Sequence, residues 1–304
     1  MEEHTGELTP PRRHRPGRGR VWARRAVFAV IVIVALAGAA WAGAALVRGD
    51  EDPPPPAPVA QLRILRIIFP EGFTRREMAD RVDAVRDIAI SKRHVTPRLT
   101  RIGYLQATAA AVPPAEFRKD WPGDRIEGFL FPATYEFTEK TAAKKLVSDQ
   151  LAHFRRQWRK VNLRYAKSKN LTPYDVLIIA SMIEKETVAP EERKLVGAVI
   201  YNRLRNRMTL GIDATIRYGR NVPGTEPLKK SDIESDNPYN TRKRLGLPPT
   251  PISNPGLASM KAAARPASVD YLYFVRKPDG VHHFFTASES EFCQKSLEYG
   301  YGGC

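Results

Sequence analysis

The stretch ASMIEKETVAP, residues 180–190, places Glu184 and Glu186 on either side of Lys185, directly behind the apolar run VLIIASMI. Carboxylates in such a position suit general acid–base chemistry. An acid held against apolar neighbours keeps its proton to higher pH and can hand it on near neutrality. The residues before them explain the placement: Thr172 reads as an N-cap, Pro173 as the first helical residue and Asp175 as a first-turn acid. A helix is therefore expected from Tyr174 to about Thr187. Both glutamates fall in its last turn, where the negative end of the helix dipole also disfavours the ionised form. Glu184 lies one turn after Ala180 and two after Leu177, on the buried side, whereas Glu186 points about 200° away around the helix. The two acids need not share a role, and Lys185 opposes the shift wherever it pairs. The plain alternative is a helix that surfaces and ends there.

Other chemistries find little support in the residues. His282 and His283 are adjacent, with no cysteine partner and no second histidine at helical spacing, so no metal site is expected. No glycine-rich phosphate loop occurs, and no serine stands in a nucleophile-elbow context. No cofactor is expected. Cys293 and Cys304 are the only cysteines, too few for a disulfide framework, so packing must stabilise the fold.

Several elements must position the acids. Leu62, Ile64 and Leu65 to Phe69 read as a strand broken by Pro70, Glu71 and Gly72. Thr74 then caps a helix with Glu77 in the capping-box position and Met78 and Val82 on one face. The arginines of this part (63, 66, 75, 76, 81 and 86) read as a solvated face. RIEGFLFPATYEF, residues 125–137, reads as aromatic core, and the next segment as an amphipathic helix carrying Leu146, Leu151, Phe154 and Trp158. A helix opening at Pro190 follows the acids, then loops with one short helix from about Gly256 to Ala264. DYLYFV and HHFFT close the chain as two strands turned at Asp279 and Gly280.

The N-terminus sets the setting. Ala26 to Val47 is uncharged over 22 residues, long enough as a helix to cross about 30 Å of hydrocarbon and longer than a signal-peptide core. Seven arginines precede it, at 12, 13, 15, 18, 20, 24 and 25, so the tail is expected to stay cytoplasmic and everything after Val47 to be exported. Glu51 to Ala60 is a proline-rich, semi-rigid spacer. The 304 residues carry a formal charge of +16, which calls for anionic surroundings. Export points to wall polymers and lipid headgroups and away from nucleic acid.

EGFLFPATYEF, ASMIEKETVAPEERKLVGAVIYNRL, GIDATIRYG, NPYNT, GLPPTPISNPGLASMKAA, PASVDYLYFV and HHFFTASESEF follow in an order and spacing that closely resemble the MltG (YceG-like) endolytic murein transglycosylases. The resemblance runs from about Ile64 to Phe292. It implies an α+β chain with a single N-terminal transmembrane helix (26–47, after a basic tail 1–25), a linker (48–60), a small LysM-like α/β module (61–118) and a mixed α+β catalytic domain (119–304). It implies a cell-membrane, single-pass protein that cleaves the MurNAc–GlcNAc bond of peptidoglycan glycan strands, leaves 1,6-anhydro-MurNAc ends and works beside the peptidoglycan synthases of wall growth. On this resemblance Glu184 is the catalytic acid and base, and Glu186, Asn202, Asp213, Thr215, Tyr239, Asn240 and His283 line the glycan groove. Two positions depart from the family pattern: Gly211 stands where glutamine is usual, and Arg242 where an aromatic commonly follows Thr241. Two further readings stay open, a non-catalytic wall-binding scaffold and a hydrolytic muramidase with a second carboxylate such as Asp213.

Overall fold

The computed structural model describes residues 18–47, 63–123 and 126–302. The basic tail up to residue 17 and the proline-rich spacer lie outside the described residues. The chain divides into two compact units, Met1–Gln61 and Leu62–Cys304.

The first unit holds one helix, α1 (Arg18–Val47). Its segment Arg25–Ala44 is apolar and long enough to cross a membrane, and none of it is buried in the protein. Phe28 and Trp41 are 72% and 81% exposed. Such a surface is apolar enough to face lipid or another protein.

The second unit opens with β1 (Leu65–Ile68), α2 (Arg75–Arg93) and α3 (Arg101–Ala109), and the pairing partner of β1 is β2 (Thr134–Phe137). The strands run antiparallel, with Leu65 opposite Phe137 and Ile68 opposite Thr134. Period-2 alternation puts Leu65 and Ile67 inward and Arg66 and Ile68 outward. The expected capping box forms at the start of α2: Thr74 accepts from the Glu77 amide while the Glu77 carboxylate accepts from that of Thr74. The packing has no break at the expected 118/119 boundary, because β1 lies before it and β2 after it.

Next come α4 (Ala143–Trp158), α5 (Arg164–Ser168), α6 (Pro173–Glu186), α7 (Arg193–Arg205), α8 (Asp213–Arg220), α9 (Lys230–Ile233) and α10 (Leu257–Ala264). A hairpin of β3 (Tyr273–Arg276) and β4 (His283–Thr286) and a final helix, α11 (Glu289–Glu298), complete the order. Rings bind the first part to the second: Phe129 stacks edge-on to Phe117 at 4.9 Å and to Phe154 at 5.1 Å. The aromatic stretch is core, as its composition predicts.

Helix α6 is the central element. Every residue from Val176 to Ile183 is buried, and each large apolar side chain so placed contributes roughly 1.5–3 kcal/mol. Its Thr172–Asp175 capping box fixes the entry. Among Val176–Ile183 Ser181 carries the one polar side chain, and it is fully used. Its hydroxyl donates to Ile178 O and accepts from the Ile252 amide, and its carbonyl accepts from Ser253 Oγ. The loop before α10 is thus fastened to the last turn of α6.

Five helices depart from the sequence expectation: α3 and α5 fall in stretches where no helix is expected. α8 and α9 stand where the asparagine, proline and glycine content predicts loop, and α11 follows the two closing strands.

Candidate active site

Glu184 is the first charged residue of α6 after its buried run, and its side chain is 6% exposed. The Gly256 amide donates to Glu184 Oε2 at 2.9 Å. Gly256 is the N-cap residue of α10, so the carboxylate meets the positive end of that helix. Arg193, at the start of α7, brings Nη2 to 4.0 Å from Glu184 Oε1 while its Nε donates to Ser259 of α10. Glu184 therefore sits between a helix N-terminus and a guanidinium.

A second carboxylate reaches the same place. Glu71 lies in the turn after β1, and a Cβ added at Gly256 would overlap its carboxyl group; only glycine leaves the room. Burial pushes the Glu71 carboxyl above the usual carboxylate range, the negative charge of Glu184 pushes it further, and Arg193 opposes both. Backbone pairing holds the turn here: the Gly72 amide donates to Asn254 O at 3.0 Å, and the Asn254 amide to Phe73 O at 2.9 Å. Lys185 Nζ donates to Gly72 O at 3.4 Å.

Asn254 then links this centre to a deeper one. Its side-chain amide donates to Phe73 O and to Glu127 Oε1, and its carbonyl oxygen accepts from the amides of Gly128 and Leu130. Glu127 also accepts from the Arg75 amide at 2.9 Å and from Tyr218 Oη at 3.2 Å. Only 2% of Glu127 is exposed, and burial pushes its carboxyl up to about 7 against the pull of those hydrogen bonds. Above it opens a cavity of about 650 Å3, lined among others by Arg75, Arg76, Glu127, Lys185, Arg217 and Tyr218. Arg75 and Arg76 thus contribute to a concave wall, where sequence suggested only a solvated face.

Glu186 points toward α8, as the helical rotation predicts. Burial and the nearby Asp213 charge push it up to about 7, while Arg276, the Ala214 amide and Lys185 pull the other way. Asp213 is paired with Arg242 at 2.6 Å, so the departure at position 242 supplies a cation to an acid of the expected groove. Gly211, the other departure, has φ +67° and lies against Arg203. Tyr239 stacks edge-on to Tyr218 at 5.1 Å and shares a hydrogen bond with Thr250 at 2.7 Å.

The remaining expected groove residues hold the chain together. Asn202 donates to the carbonyls of Val269 and Tyr271, and Asn240 to those of Ile233 and Ser235. Thr215 is buried against Ile212 O and Thr241. His283 is buried against Glu192, its amide and ring nitrogen both meeting that carboxylate at 2.9 and 2.7 Å. Among the described residues no cluster of histidine, cysteine, aspartate and glutamate has the arrangement of a metal site. Cys293 is disulfide-bonded.

The model of the YceG-like family matches residues 45–296, most of the chain. This chain belongs to the YceG-like family. The YceG-like match takes in Glu71, Glu127, Glu184, Arg193 and Asn254 together. Within it, 158 residues are 39% identical to an endolytic murein transglycosylase of Streptococcus pneumoniae, covering 50% of this chain and 28% of that protein. A second endolytic murein transglycosylase, from Bacillus subtilis, is 36% identical over 155 residues, covering 51% of this chain and 43% of its own. The similarity thus spans less than half the length of either relative. The crystal structure of a YceG-like protein of Listeria monocytogenes superposes with a TM-score of 0.61 at 28% identity, covering 76% of this chain and 75% of that one.

Proposed function

We propose that this chain is a membrane-anchored endolytic lytic transglycosylase of peptidoglycan, with Glu184 as its acid and base. The observation that carries the proposal is the setting of Glu184: a buried carboxylate between the N-terminus of α10 and Arg193, in a YceG-like chain whose relatives are named endolytic murein transglycosylases. In the forward step Glu184 protonates the glycosidic oxygen between N-acetylmuramic acid and N-acetylglucosamine, and the C1–O bond breaks. In the second step it takes the proton of the muramyl 6-hydroxyl, whose oxygen closes onto C1 to give the 1,6-anhydro end. An intramolecular hydroxyl at high effective concentration replaces the water that a hydrolase must activate. No cofactor enters the reaction.

The cavity beside Lys185 serves in this reading as part of the groove for the glycan strand, with Tyr239 and Glu186 near its walls. Residues 61–118 serve in this reading as the LysM-like module, whose strand β1 pairs with β2 at residues 134–137. Helix α1 anchors the protein in the cell membrane with its N-terminus cytoplasmic, where strands leaving the synthases of wall growth come within reach. The hydrolytic alternative that relies on Asp213 is weakened by the 2.6 Å pairing of that residue with Arg242.

Digestion of purified peptidoglycan by the wild type and by Glu184→Gln, with the product ends read by mass spectrometry, tests the reading. Anhydro ends that vanish in the variant are the expected result. Reducing ends from the wild type would mean a hydrolase, and intact glycan with retained binding a scaffold. Cleavage abolished by Glu186→Gln and spared by Glu184→Gln would move the reaction to the other acid.

A further inference from the structure

Two carboxylates, one guanidinium and one helix N-terminus meet around Gly256. The participants come from four elements: Glu71 from the turn after β1, Glu184 and Lys185 from the end of α6, Arg193 from the start of α7, and the Gly256 amide from α10. Gly256 is the contact point, since its amide holds Glu184 and its missing Cβ is the space that Glu71 fills. The arrangement has a charge problem. If both carboxylates were ionised, Glu184 at 4.0 Å from Arg193 and Glu71 beside it would set two negative charges against one guanidinium, while Lys185 donates to a backbone carbonyl of the Glu71 turn. Partly desolvated like charges relieve such a conflict by keeping a proton between them.

We propose that Glu71 is a positioning residue of the catalytic centre, forming with Glu184 a carboxyl pair that retains one proton for delivery to the glycosidic oxygen. The inference rests on the assignment of Glu184 above. With one proton, the pair carries a single negative charge, which Arg193 balances. When Glu184 gives that proton to the leaving oxygen, the C1–O bond breaks and positive charge grows on the sugar ring. Both carboxylates are then ionised beside it, and the second negative charge opposes the new positive one. Return of the 6-hydroxyl proton to Glu184 restores the starting state, with no water or other reactant consumed. The upward push that Glu184 exerts on the Glu71 carboxyl is the ground-state sign of this coupling. The turn after β1 thereby supplies part of the reaction machinery.

The test compares full-length wild type, Glu71→Gln and Glu184→Gln on purified peptidoglycan, following anhydro ends against pH. Glu71→Gln is expected to lower kcat by about 10- to 100-fold with KM within about twofold. Its alkaline limb should also move to lower pH, because a lone acid beside Arg193 gives up its proton sooner than the pair does. A structural role alone would leave that limb in place. Wild-type kcat and pH profile in Glu71→Gln, with Glu184→Gln inactive, would overturn the inference and leave the assigned function standing. Activity in Glu184→Gln would instead sink the assignment on which it rests. Should Glu71→Gln fail to fold, carbon-13 NMR of the Glu71 carboxyl in the Glu184→Gln protein decides the matter. Its titration midpoint is expected below that in the wild type, and an unchanged midpoint refutes the coupling.

Discussion

Glu127 is the buried acid whose surroundings say most about pH. It is protonated up to about 7 in the folded chain and to an ordinary 4.5 when solvated, so the folded state holds the extra proton between those values. Stability from this group is complete below about pH 4.5 and is lost as pH rises through about 7, a change on the order of 3 kcal/mol. Glu127→Gln keeps the shape and removes the titration. The melting-temperature difference between variant and wild type should therefore move in the variant's favour from pH 5 to pH 8. An equal difference at both values would mean that the carboxyl is ionised in the fold throughout. Glu127 was not legible as a site residue in sequence, where it reads only as the acid inside an aromatic core segment. Its partners Arg75, Tyr218 and Asn254 lie 52, 91 and 127 positions away, and no spacing rule reaches that far. Glu184 reads from sequence as an acid on the buried side of a helix end, because the apolar run and the helix end lie within a dozen residues of it. At this helix end burial pushes the Glu186 carboxyl up to about 7, and across the site burial also pushes the Glu71 carboxyl upward.

Capping chemistry announces two of the helices. α2 and α6 announce themselves through Thr74 with Glu77 and Thr172 with Asp175, and both boxes form. Since the α6 box sets where the helix starts, Thr172→Ala should cost about 1 kcal/mol in urea unfolding. A loss below a few tenths would show that burial alone fixes the helix. α8 has no side-chain cap and buries only Thr215 and Ile216, and its neighbourhood of glycine and asparagine reads as loop. Packing against α6, rather than local preference, makes it a helix. α11 carried a usable signal in Ser288, which accepts from the Glu291 amide.

For the whole molecule, the α+β class follows from the resemblance and the apolar helix from the uncharged run 26–47, while the expected division at 118/119 is not a break in packing. The reason is physical: a two-stranded sheet is marginal alone, so β1 requires both β2 and the helices beneath it. Antiparallel pairing of Leu65–Ile68 with Thr134–Phe137 also imposes an order in time. A chain emerging from its N-terminus holds β1 without a partner until β2 has been made, and the Gly72–Phe73 turn without its backbone partner until Asn254 has followed. Nascent chains arrested at increasing lengths should stay protease-sensitive in the β1–α2 region until residues past Gly256 have emerged. Full resistance in chains stopped near residue 118 would contradict this. The last loop to be synthesised around Glu184 is thus also the latch that lets the first-made part of the globular unit settle, so an unfinished chain cannot bring Glu71, Glu184 and Gly256 together.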